Sequence, residues 1–142
     1  MGKPFTFNEI EKIALAAGFQ LDSANAGSHQ IYKQNETDLR LTIPKHNAGV
    51  SAGVAENIVK MSVLASRICN INIGSYKNKF SSTIHEMIVE HQAKCKENPL
   101  HYLPDDYREK NKIETPQQVF KFIESFGKKQ AVQKYNDYGM SL

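Results

Sequence analysis

Gly27-Ser28-His29-Gln30-Ile31-Tyr32-Lys33, followed after a polar turn by Leu39-Arg40-Leu41-Thr42-Ile43, has the texture of two neighbouring β-strands. In the second run Leu39, Leu41 and Ile43 alternate with Arg40 and Thr42, the period-two pattern of a half-buried strand. Pro44 follows and has no amide hydrogen to offer a ladder, so pairing is expected to end there. In the first run His29 and Ile31 fall on one face, while Ser28, Gln30 and Tyr32 fall on the other. Gln34-Asn35-Glu36-Thr37-Asp38 supplies the turn between the runs.

Upstream, Thr6-Phe7-Asn8-Glu9 is a capping box. Ile10, Ile13, Ala14 and Ala17 continue at helical spacing, and Gly18 is suited to a left-handed helix end. Phe19 and Leu21 alternate with Gln20 and Asp22, which predicts a short first strand, with Ser23 to Gly27 as a loop. Downstream, Ser51 caps a helix whose stripe is Val54, Ile58, Met61 and Ala65, ending near Arg67. The resulting order, α-β-β-β-α, is an α+β arrangement. Its antiparallel meander has both helices on one face and leaves the other face for water or a partner.

The second half has a different texture. Cys69 to Ile73 reads as a short strand. Ser82 caps a helix carrying Ile84, Met87, Ile88, His91 and Cys95 on one side, and Asn98-Pro99 stops it. Leu100 to Tyr107 reads as a loop rich in apolar and aromatic side chains. Thr115-Pro116-Gln117-Gln118 opens a last helix with a capping box and proline at the favoured first position. Its expected stripe is Val119, Phe120, Ile123 and Phe126, with Gly127 as end or kink. The expected division is a 1–68 α-β-β-β-α domain and a 69–142 helical extension.

The chain has 142 residues, with 18 Lys and Arg against 15 Asp and Glu and a formal net charge of +3. That balance permits nucleic-acid binding without demanding it, because phosphate contact needs a local patch. The two cysteines, Cys69 and Cys95, are too few for a disulfide framework and lack zinc-site spacing. Reduced thiols, with no apolar leader or spanning segment, point to a cytoplasmic chain with no membrane association.

His29 opens a strand after a glycine turn, on rigid yet reachable backbone. Imidazole ordinarily titrates near pH 6.5 and so exchanges protons at cellular pH. Attack of an RNA 2′-hydroxyl on the adjacent phosphorus needs such a proton acceptor and no metal or other cofactor. Ser28 can donate to the same phosphate, and Lys33, Arg40, Lys45 and His46 are candidates to hold phosphate oxygens. Taken singly, an exposed strand histidine is structural more often than catalytic. His85-Glu86 lacks the second histidine of a zincin helix, and His91 with Cys95 suits a core-facing pair better than a metal site. Lys128, Lys129, Lys134, Tyr135 and Tyr138 fit either contact with single-stranded RNA or a solvated helix end with inward tyrosines.

Five blocks in order carry a family resemblance: the opening helix, Ala17-Gly18-Phe19, Gly27-Ser28-His29-Gln30-Ile31-Tyr32, Leu41-Thr42-Ile43-Pro44-Lys45-His46, and Ala52-Gly53-Val54. Together they resemble the HicA mRNA-interferase family over about Phe5 to Ser66. The resemblance implies a double-stranded-RNA-binding-domain-like fold, metal-independent endoribonuclease activity (a hydrolase of the toxin-antitoxin class), His29 as the catalytic residue, RNA as substrate and a HicB-like antitoxin as partner. The rival expectation keeps the fold without the chemistry. It is an inactive RNA- or protein-binding module, for example a phage or mobile-element inhibitor of a host factor.

Overall fold

The computed structural model describes residues 5–24, 29–37, 39–45, 48–76 and 78–137. Its first helix, α1 (Phe7–Ala16), is closed by the predicted box: Glu9 N–H donates to Thr6 Oγ1, and Thr6 N–H donates to Glu9 Oε2. Gly18 turns the chain at φ +94°, beyond the reach of most L-residues. A Cβ there would meet Gln34 Nε2 at 3.2 Å. Gln34 is itself buried and needed at this place, because its side-chain amide donates to the carbonyl of Ala17 at the helix end and its Oε1 accepts from Thr37.

The strands β1 (Gln20–Ala24), β2 (His29–Lys33) and β3 (Arg40–Pro44) form one antiparallel sheet in the order β1-β2-β3. The second and third pair without a break, His29 opposite Pro44, Ile31 opposite Thr42 and Lys33 opposite Arg40. Pro44 thus closes the ladder as its last residue and not just beyond it. Between the first and second the register slips at Asp22, a β-bulge. The expected alternation of the first strand fails there. Phe19 is buried ahead of the strand, Leu21 is 49% exposed, and the strand runs on to Ala24.

The helix α2 (Ala52–Ile68) starts at Ser51, whose Oγ accepts from Val54 N–H at 3.4 Å. Both α1 and α2 pack on β3, and on each other. Tyr32, Leu41 and Ile43 are buried toward them, and Ile10, Ile13, Ile58 and Leu64 complete this layer. Each such side chain taken fully from water contributes roughly 1.5–3 kcal/mol.

Beyond α2, residues 69–73 are not a strand. Asn70 adopts a left-handed conformation at φ +58°, and Ile73–Ser75 form a 3-10 turn pinned by Asn72. Local bonds replace the ladder that a strand would need from a neighbour, with Ile71 N–H donating to the Ser66 carbonyl and both Ser75 N–H and its hydroxyl donating to the Asn72 carbonyl. The next helix, α3 (Ser82–Glu97), is capped by Ser81 and not Ser82. The stretch expected as a loop folds into a 3-10 turn (Pro99–Tyr102) and a short helix, α4 (Asp105–Asn111). The last helix, α5 (Pro116–Asp137), begins with the predicted Thr115–Gln118 box and continues past Gly127. Its inward side uses Val119, Phe122, Ile123 and Phe126, whereas Phe120 is 44% exposed. One buried cluster runs from Ile10 through Ile84 and Ile88 to Val119, so the later helices share apolar packing with the first five elements.

Candidate functional site

Strand alternation and register place His29, Ile31 and Lys33 with Arg40, Thr42 and Pro44 on the sheet face turned away from the helices. His29, Arg40 and Thr42 are exposed, and Ile31, Lys33 and Pro44 half-buried. The face is therefore concentrated in residues that can meet a charged partner, while the opposite face of the same strands is core.

The predicted residues divide along this face. His29 sits at one end of β2. Lys33 and Arg40 lie opposite each other at its other end, four residues away, which is about 13 Å at the usual strand rise. Arg40 is engaged, its guanidinium donating to Asp22 Oδ2 at 3.0 Å. The bulge brings that carboxylate within reach, and sequence reasoning missed it because regular alternation gives no sign of a bulge. Lys45 follows Pro44 near the His29 end, but its ammonium lies 5.3 Å from the Phe7 ring centroid, a cation–π contact with α1. Ser28 and His46 lie outside the described residues, as do Asn25 to Gly27. The structure thus gathers His29, Lys33 and Arg40 on one face and turns Lys45 toward a helix.

On the core side of the same strand the Tyr32 hydroxyl donates to the Glu11 carboxylate. Burial, and then that bond and its charge, push the phenol well above its ordinary range. Tyr32 is on the wrong face to act with His29; its bond ties β2 to α1 and steadies the strand from behind.

Elsewhere His91 Nε2 and Cys95 Sγ lie 3.4 Å apart in the core, as the helical spacing suggested. Burial, then Lys60, His101 and Lys94, lower the imidazole to about 4, and burial raises the thiol to about 12. Both are therefore neutral near pH 7, which suits a packed pair. His85 Nε2 lies 2.9 Å from the Gly74 carbonyl oxygen and anchors the turn before α3. Among the described residues no group of three or more His, Cys, Asp or Glu stands together as a metal site, and no helix is long and apolar enough to cross a membrane.

Comparison with known proteins adds to this geometry. A search of curated proteins and of solved structures finds no match. The family model described as the HicA toxin of bacterial toxin-antitoxin systems matches residues 7–61, from the first residue of α1 to the middle of α2. The matched span contains the whole sheet and its open face, and the chain is HicA-like over that span.

Proposed function

We propose that this chain is an RNA-cleaving toxin of the toxin-antitoxin type and that His29 is its proton-transfer residue. The observation that carries the proposal is the exposed position of His29 at the start of β2, on the open face of the HicA-like span. A ring nitrogen of His29 accepts the proton of a ribose 2′-hydroxyl as that oxygen attacks phosphorus. The bond to the 5′-oxygen breaks, a proton is returned to the leaving oxygen, and a 2′,3′-cyclic phosphate results. General acid–base assistance of this kind is worth about 10²- to 10⁴-fold. No metal is required by this route.

Lys33 and Arg40 are too far along the strand to share the scissile phosphate with His29, so they hold a neighbouring one. Ser28, His46 and Lys45 belong to the His29 end by sequence and are proposed to assist there. A HicB-like antitoxin would act by covering the open face. The engagement of Arg40 by Asp22 and of Lys45 by Phe7 favours a second reading, in which the same face binds RNA or a protein without cleaving.

The deciding experiment is RNA cleavage by wild type and His29→Ala in EDTA, between pH 5 and 8. Cleavage by the wild type, varying across that range and reduced at least a hundredfold in the variant, supports the toxin reading. Equal cleavage by both proteins overturns the role of His29. RNA binding without cleavage by either leaves only the binding reading.

A further inference from the structure

A cleft of about 700 Å³ lies between the end of α2, the face of α3, the 3-10 turn after it and α5. Every residue lining it falls between Val63 and Phe120, beyond the HicA-like span. Two cations, Arg67 and Lys96, line it, and no Asp or Glu does among the described residues. In a chain carrying 15 acidic residues, this is a local excess of positive charge. Side-chain amides come from Asn70 and Gln92, and rings from Tyr102 and Phe120.

Several of these groups are set before any ligand arrives. Gln92 Nε2 donates to Asn72 Oδ1 at 3.1 Å. Gly74 makes room for that amide, since a Cβ there would collide with Gln92 Oε1. Asn70 is held at the cleft by its left-handed backbone. Phe120 is displaced from the inward stripe of α5 and leaves a large ring half in water in the cleft that Arg67 and Lys96 also line. Arg67 and Lys96 also lie in the last turns of α2 and α3, where a cation offsets the helix dipole. That role explains their place on each helix, but not a carboxylate-free concavity with rings and amides.

From this combination we infer that the cleft binds a nucleotide: Arg67 and Lys96 take the phosphate, Tyr102 and Phe120 the flat base, and the amides its polar edge. Cations for the backbone and aromatic faces for bases are the shared chemistry of single-strand recognition. The nucleotide is either free or one unit of an RNA strand, and the inference is independent of cleavage at His29.

The test uses full-length protein carrying His29→Ala, so that RNA is not consumed. Adenosine 5′-monophosphate and a fluorescein-labelled single-stranded RNA are titrated in parallel at several salt concentrations. With RNA, changing Arg67 and Lys96 together to Gln is expected to reduce the log-log salt slope by about 0.7, the value of losing one phosphate contact. Phe120→Ala is expected to weaken binding by about fivefold or more, the value of losing one stacked base. Arg67→Lys should recover most of the salt slope. Loss of AMP binding in these variants identifies a free nucleotide as the ligand, and loss with RNA alone identifies a strand. Absence of binding to either probe overturns the inference, as does unchanged affinity and slope in the variants. Arg67 and Lys96 are exposed, so the Gln pair decides the matter even if Phe120→Ala lowers the melting temperature.

Discussion

His91 is a residue whose chemistry departs well away from what its type suggests. It is 7% exposed, and burial together with the fields of Lys60, His101 and Lys94 holds its imidazole near 4, against a smaller opposing pull from Glu56. Below about pH 6.5 the unfolded chain takes up a proton here that the folded chain refuses. Its contribution to stability is therefore complete above that pH and is lost as pH falls toward 4, by about 1–3 kcal/mol. Urea midpoints followed from pH 7 to pH 4 should fall in the wild type, and His91→Gln should flatten the curve. An equally steep curve in the variant would assign the acid loss to other groups. Helical spacing alone revealed that His91 and Cys95 share a face. How far the site would shift the imidazole was not legible, because Lys60 and His101 come from other elements.

Among the elements, those closed by local chemistry were readable and those closed by distant partners were not. Helix α1 has its cap, its stripe and its terminating glycine within thirteen consecutive residues, all of which the structure bears out. Thr6→Ala removes the acceptor for Glu9 N–H and should cost about 0.5–2 kcal/mol in thermal or urea denaturation, with Thr6→Asn largely neutral. The 69–73 segment is the opposite case. Its apolar residues suit a strand, yet among the described residues no neighbour offers a ladder and local turns take over. The 3-10 turn and α4 were missed since elements of four and seven residues are too short to show a period. The candidate face was half legible. Alternation put His29 and Ile31 together, while the Asp22–Arg40 pair depends on a slip in register that only the assembled sheet reveals.

For the whole molecule, the continuous apolar cluster makes a prediction about cooperativity. Ile13 of α1 and Ile88 of α3 are both fully buried in it, one in the HicA-like span and one beyond. Replacing either with Ala should cost about 2–5 kcal/mol. Unfolding followed by far-UV and by tyrosine near-UV circular dichroism should then remain one coincident transition for both variants. Two separated transitions, with Ile88→Ala moving only one, would divide the chain into independent folding units. The later helices are thus expected to support the sheet energetically as well as to build the nucleotide cleft.

The bulge in β1 has a consequence for how copies of the molecule meet. That strand lies at one edge of the sheet, where unpaired amides and carbonyls invite a foreign strand and a half-exposed Leu21 adds an apolar foothold. The extra residue bends the strand and breaks the even spacing of its hydrogen-bonding groups. A straight strand from another copy cannot pair along β1 without a matching defect of its own, so the irregularity that engages Arg40 also guards this edge of the sheet against fibrillar growth.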